Sequence, residues 1–215
     1  MTIQHHPSDV ILGAFAAQAL DRGERMVIAT HLKHCAHCRA FVRKIDPICG
    51  LMLDRVAPVP VTDGSLARLM ERLDEPTPRP IRTEPPANFE EIPGLPDAVR
   101  RQRAGDWKWI GPGVHLRPIL LPEYEATRVF LLKAAPGTRM LQHSHTELEM
   151  TCVLTGAFSH DGGRFGPGDF DFGDEDVDHK PLVERGEDCV CLVAMRGELR
   201  LSGLIGRLIQ PFVRL

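Results

Sequence analysis

The sequence predicts a chain in two parts, a helical bundle followed by an all-β barrel, and three observations carry that expectation. Over residues 1–75 apolar side chains recur at helical spacing. From residue 98 onward they fall into short runs rich in β-branched and aromatic residues, bounded by Gly, Pro and Asp. Between the two, Asp74 to Asp97 reads DEPTPRPIRTEPPANFEEIPGLPD, with seven prolines. Proline lacks a backbone donor and fixes φ, so this stretch is expected to be neither regular helix nor inner strand. The expected division is a helical domain over 1–75, an extended, semi-stiff linker over 76–97, loosely coupling the two parts, and a barrel over 98–215.

In the first part, Ser8 or Asp9 can cap a helix running to about Leu20, with Ile11, Ala14 and Phe15 on one face. A second helical stretch begins near Gly23 and carries Met26, Val27, Thr30 and His31; Leu51 to Val56 extends a third. Ser65 can cap a fourth, with Leu66, Leu69, Met70 and Leu73 spaced i, i+3, i+4, i+7. That stripe has to be covered, either by the rest of the domain or by a partner. In the second part the strand signals are Thr127 to Leu132, Met150 to Leu154, Asp169 to Phe172 and Cys189 to Val193.

Composition narrows the function. Hydrophobic residues make up 43% of the 215, enough for packed cores, and the formal net charge is −3. Residues 1–80 hold ten basic and nine acidic side chains, so no basic footprint supports direct DNA binding. The N-terminus lacks the basic and apolar regions of a signal peptide, and the longest helix-like apolar stretch, Ile11 to Leu20, is about half a membrane span. The expectation is a cytoplasmic protein with no membrane partner. There its six cysteines are reduced and serve metal binding or redox chemistry rather than disulfides.

Two motifs carry chemistry. The first is His31-x3-Cys35-x2-Cys38. On a continuous helix these offsets share one face; if the chain turns at the cysteines, the Cys-x2-Cys pair still clamps one ion. Two thiolates and an imidazole are three of the four ligands of a tetrahedral structural zinc. His6 leads for the fourth because it opens the preceding helix; His5, His34, His37 and Cys49 compete. A thioredoxin-like redox pair is the weaker reading, because no βαβ pattern surrounds the cysteines.

The second motif is Gly137-x5-His143-x-His145-x3-Glu149-x6-Gly156. On a strand His143 and His145 point to one side, and Glu149 keeps that parity across a bend. This spacing resembles the first signature of the cupin superfamily at every fixed position. A second signature follows Gly168 in degraded form, with Asp174 and Asp176 where the family has proline and glycine, and places His179 as the last ligand. Three imidazoles and a carboxylate suit zinc, iron, manganese or nickel. Glu147 is the competitor to Glu149, whereas His115 and His160 read as surface or turn residues. Cys189 and Cys191 share one strand face, either as small core residues or as an oxidisable pair unsuited to an unstrained disulfide. Met150 is a further candidate for oxidation.

The pairing of His6 and His31-x3-Cys35-x2-Cys38 with a single C-terminal cupin resembles the ChrR family of anti-sigma factors over nearly all 215 residues. That resemblance implies an N-terminal domain that binds an extracytoplasmic-function sigma factor, with Leu66 to Leu73 at the contact. It also implies zinc in both sites and a cupin that senses singlet oxygen or organic peroxides. The competing expectation is a metal-dependent cupin dioxygenase with an accessory zinc module.

Overall fold

The structure, a computed structural model, describes residues 2–73, 75, 89, 92–121, 126–175 and 179–201. Most of the proline-rich stretch and Asp176 lie outside the described residues. Helices come first: α1 Asp9–Ala16, α2 Arg22–His34, α3 Ala36–Leu53 and α4 Ser65–Leu73, with a single turn, α5 Asp97–Arg100, at the entry to the barrel. Helix α1 stops four residues short of the expected Leu20, at a turn where Gln18 takes a positive φ.

The Ser8 hydroxyl caps α1. Asp21 caps α2 through a reciprocal box: its carboxylate accepts from Glu24 N at 2.9 Å, and Glu24 accepts from Asp21 N at 2.9 Å. Of the two arrangements open for the cysteines, the turn is the one found. Cys35 is extended, ends α2 and starts α3, and its Sγ accepts from Cys38 N at 3.4 Å.

Among the described residues twelve strands follow: β1 Arg103–Ala104, β2 Lys108–Gly111, β3 Val114–Leu120, β4 Arg128–Ala134, β5 His143–His145, β6 Glu149–Thr155, β7 Phe158–His160, β8 Gly163–Phe165, β9 Phe170–Gly173, β10 Leu182–Val183, β11 Cys189–Met195 and β12 Leu199–Leu201. The large sheet runs β1-β3-β4-β11-β6-β9 with β2 added on β3; β10-β7-β8 and β12-β5 form smaller sheets. All pairings are antiparallel. Gly156 ends β6 at φ +64, where a Cβ would lie 2.7 Å from the Asp188 carbonyl, so the turn of the first motif requires glycine.

The large sheet is buried on both faces. Along β11, Cys189, Cys191, Val193 and Met195 belong to the barrel interior, whereas Val190, Leu192 and Ala194 pack with Met26, Val27, Ile28 and Leu32 of α2. The same division places Met150 and Cys152 of β6 on the helix side. This double burial explains why β11 reads as a continuous apolar run rather than an alternating one.

The helices and the barrel therefore share one core, which corrects the expectation of loosely coupled parts. Phe89, Ile92 and Leu95, late in the proline-rich stretch, are buried in that core. Arg100 holds them by donating to the carbonyls of Phe89, Ile92 and Leu95, and Lys33 donates to Leu95 O at 3.0 Å. Arg196, just after β11, reaches Asp21 at 3.1 Å and Glu24 at 2.9 Å, and the Thr127 hydroxyl also donates to Asp21.

The apolar stripe of α4 is not covered by the described residues. No residue of α4 is buried, and Leu66, Leu69, Met70 and Leu73 expose 71, 55, 56 and 69% of their surface. At the end of α3, Ile48, Leu51, Met52 and Leu53 are exposed as well.

Candidate metal centres in the helices and the barrel

In the helical part, ligand atoms of His6, His31, Cys35 and Cys38 all lie within 4.8 Å of one another. His6 Nδ1 is 3.4 Å from each cysteine sulfur. For nitrogen and sulfur sharing one tetrahedral zinc, bond lengths of ~2.0 and ~2.3 Å imply a separation of roughly 3.6 Å. The sequence left five candidates for the fourth position, and the fold brings His6 to it. His5 instead stacks on Phe165, His34 lies by the Gly94 carbonyl, and Cys49 is exposed. His37 sits with its ring 5.5 Å from that of His6, outside the cluster.

The chemistry of the donor set fits a cation. His31 Nδ1 lies 2.8 Å from the Gly168 carbonyl, which can only accept, so the ring proton is on Nδ1 and Nε2 presents a lone pair. That Nε2 is buried without a hydrogen-bond partner among the described residues. Burial holds the His31 imidazole neutral, with its pKa lowered to about 4. Burial, the hydrogen bond with Cys35 and the nearby Cys35 and Asp9 charges push the Cys38 thiol up to about 12. A second thiolate there calls for a positive ion, and the start of α3 adds its own N–H groups on the sulfur side.

In the barrel, β5 turns His143 and His145 inward and an isolated bridge sets His179 opposite His143. Their Nε2 atoms converge: His179 is 2.9 Å from His143 and 3.5 Å from His145. Two nitrogens on one ion at ~2.0–2.1 Å are separated by about 3.0–3.4 Å. His143 Nδ1 donates to Leu141 O at 2.7 Å, which puts the ring proton on Nδ1 and leaves Nε2 as the acceptor nitrogen. Burial lowers the His179 pKa to about 4 and that of His145 in the same direction, so both rings are neutral donors.

Glu149, at the start of β6, places Oε2 3.8 Å from His145 Nε2, and its other oxygen accepts from the Thr151 hydroxyl. Burial raises its pKa, against the pull of His143, and Glu149 stands beside, not within, the group His143, His145 and His179 whose donor atoms all lie within 4.8 Å of one another. Glu147 is half exposed and faces Arg196 instead.

The site opens into a cavity of about 530 Å³ whose lining is mostly apolar, including Phe130, Val114 and Met195. Cys189 and Cys191 line the same cavity with their sulfurs 3.8 Å apart. Hydrogen bonding between them, together with burial, raises the Cys191 thiol well above its ordinary value. Met150 faces the helices, and the methionines beside the cavity are Met140 and Met195.

Sequence reasoning also missed His160 and Asp171. His160 is not a turn residue; its Nε2 lies 3.0 Å from Asp171 Oδ2, and a donor atom of each lies within 4.8 Å of one on His179. Gly162 N donates to His160 Nδ1 at 3.0 Å, so the ring proton sits on Nε2 and is given to Asp171. The available signal was the alternation in Phe170-Asp171-Phe172, which turns a lone carboxylate toward the interior. His115 lies on β3, away from both clusters.

A Cys/His cluster in short helices, joined through one core to a barrel that holds a second, histidine cluster, defines a class: two-centre metal-binding proteins with a zinc-finger-like head and a cupin-like body. Comparison with known proteins agrees. Residues 96–198 match the family described as "ChrR Cupin-like domain", and residues 11–39 match the one described as "Putative zinc-finger". The chain is 39% identical to the anti-sigma-E factor ChrR of Cereibacter sphaeroides, over all of both chains.

It also matches a solved structure of Rhodobacter sphaeroides SigE in complex with the anti-sigma ChrR. There the TM-score is 0.74 and the identity 36%, over 90% of this chain and 99% of that one. An RmlC-like cupin protein of Ralstonia eutropha JMP134 matches at TM-score 0.42 and 20% identity, over 46% of this chain and 67% of that one. The chain belongs to the ChrR family of anti-sigma factors. No helix among its described residues is long and apolar enough to cross a membrane.

Proposed function

We propose that this chain sequesters an extracytoplasmic-function sigma factor in a 1:1 cytoplasmic complex and releases it under oxidative stress. One zinc, held by His6, His31, Cys35 and Cys38, organises the helical part, taken as residues 1–75. A second metal, zinc in the first instance, is held by His143, His145, Glu149 and His179 in the part spanning residues 98–215. The observation that carries the reading is the uncovered stripe Leu66, Leu69, Met70 and Leu73 on α4. An apolar surface of this kind on a folded chain marks a protein contact, and a sigma factor is the partner borne by the relative in the matched complex.

The cupin site would supply a metal with room for one small ligand beside the apolar cavity. The chain's own groups there hold the His145 and His179 imidazoles neutral, orient Glu149 through the Thr151 hydroxyl and place the Cys189 and Cys191 sulfurs against the same space. Oxidation in that space would add polarity to the inner face of β11, whose outer face is packed on α2. That would transmit a local chemical change to the helices. Co-expression with a cognate sigma factor, followed by co-purification and elemental analysis, tests the reading. A soluble chain that leaves the sigma factor unbound, or a complex without two metal ions per chain, would contradict it.

A further inference from the structure

We infer that the turn between β8 and β9 of the barrel, residues 166–169, is part of the helical metal site, with Asp169 as its positioning residue. The inference rests on the assignment of His6, His31, Cys35 and Cys38 as metal ligands.

The helical site is held by two contacts from this turn. The Gly168 carbonyl takes the Nδ1 proton of His31 at 2.8 Å and so aims Nε2 at the ion. Asp169, 5% exposed, fixes the segment that carries His6: its Oδ1 accepts from Gln4 N at 2.7 Å and from His5 N at 3.0 Å. Its Oδ2 accepts from Gly166 N at 2.8 Å, which ties the carboxylate to its own turn. Phe170 N then donates to His5 O at 3.1 Å, so residues 4–5 are annexed to the barrel at the start of β9. His6 is the next residue, and it therefore approaches the cysteines from the barrel, whereas His31, Cys35 and Cys38 approach from α2 and α3.

Gly168 makes the close approach possible. At φ +90 a Cβ there would sit 2.8 Å from Ile3 Cδ1 and 2.9 Å from His34 Cβ. From this turn β9 runs four residues to Gly173, which pairs with Glu149 and packs on the His145 ring. One short strand thus connects the support of the helical site to the ligands of the barrel site. Groups that orient metal ligands commonly set metal affinity by roughly 10–100-fold when removed.

The experiment measures zinc affinity by chelator competition in the full chain, with cobalt(II) substitution as the spectroscopic readout. The thiolate-to-cobalt charge-transfer band reports the helical site specifically, because its ligands include Cys35 and Cys38. Asp169→Ala is expected to weaken binding by about 10–100-fold and to change the ligand-field bands as His6→Ala does, while the thiolate band persists. In the double variant the two losses should not add, because both remove the same ligand. Additive losses, or unchanged affinity and spectrum in Asp169→Ala, would overturn the inference. Should Asp169→Ala fail to fold, Asp169→Asn serves instead: its amide cannot accept both from Gly166 N and from the Gln4 and His5 amides, so it is expected to weaken zinc binding and shift the ligand-field bands toward those of His6→Ala. Wild-type affinity and spectrum in that variant would equally overturn the inference. Cys35→Ser with Cys38→Ser separates this from the ligand assignment: if the charge-transfer band survives there, the ligands were misassigned.

Discussion

Replacing Leu66 and Leu73 with alanine should separate binding from folding. Each leaves about seven-tenths of its surface exposed, 71 and 69%. Fully burying a leucine is worth ~1.5–3 kcal/mol, so covering the exposed part with a partner contributes about 1–2 kcal/mol per residue. The pair then contributes ~2–4 kcal/mol, or roughly 30–700-fold in Kd. Alanine keeps the Cβ, which places the expected loss in the lower half of that range. Because α4 has no buried residue, its truncation removes no internal packing, and alanine is a good helix former. The melting temperature should therefore move by about 1 °C or less. The assay is titration of the purified variant with the sigma factor, beside a thermal scan of the free chain. A Kd within about threefold of wild type would refute the docking argument. A melting temperature lower by several degrees would show that the stripe packs internally.

Four further outcomes are expected. Cys35→Ser with Cys38→Ser should remove one zinc per chain and abolish sigma binding; because the metal-free Cys38 keeps its proton until about pH 12, zinc affinity in the wild type should rise at least about tenfold per pH unit near neutrality, and a flat profile would contradict this. His143→Ala with His145→Ala should empty the barrel site, lower barrel stability and leave the sigma complex intact; normal stress induction of a reporter in that variant would exclude the sensing role. Arg196→Met should cost ~1–3 kcal/mol in urea unfolding, between exposed and buried ion pairs. Burial would raise the Asp21 carboxyl, but the Glu24 amide, Thr127 and Arg196 outweigh it and hold it below its usual value. Its contribution is then complete above the unfolded value of ~3.9 and fades as pH falls through the folded one, so an Arg196→Met deficit that is unchanged at pH 2 would refute the clamp. Cys189→Ser with Cys191→Ser should keep metal and sigma binding but blunt stress induction; unchanged induction would make these thiols packing residues.

Much of the architecture was readable because the chemistry is local. His31, Cys35 and Cys38 lie within eight residues, and His143, His145 and Glu149 within seven, so spacing alone groups them. Strand patterns located β4, β6, β9 and β11 because their side chains must suit a pleated surface. The proline-rich stretch misled at its end. Its composition suggests a free spacer, but Phe89, Ile92 and Leu95 are apolar and find a core to enter. His160 was misjudged because nothing near it in sequence is a ligand; Asp171 and His179 reach it only through the curvature of the barrel.

By itself, then, the sequence determined which residue types are available for two metal centres, where helix gives way to strand, and that one helix carries an apolar stripe. These follow from short-range geometry: 3.6 residues per helical turn and two per strand repeat. The tertiary structure decided what lies opposite what. It set His6 against cysteines some thirty residues away, turned Cys189, Cys191 and Met195 toward the cavity with Leu192 toward α2, and left the α4 stripe uncovered. It also placed Asp169 and Gly168 of the barrel behind the ligands of the helices. Contacts between residues far apart in the chain depend on how whole faces pack, and no local period encodes that.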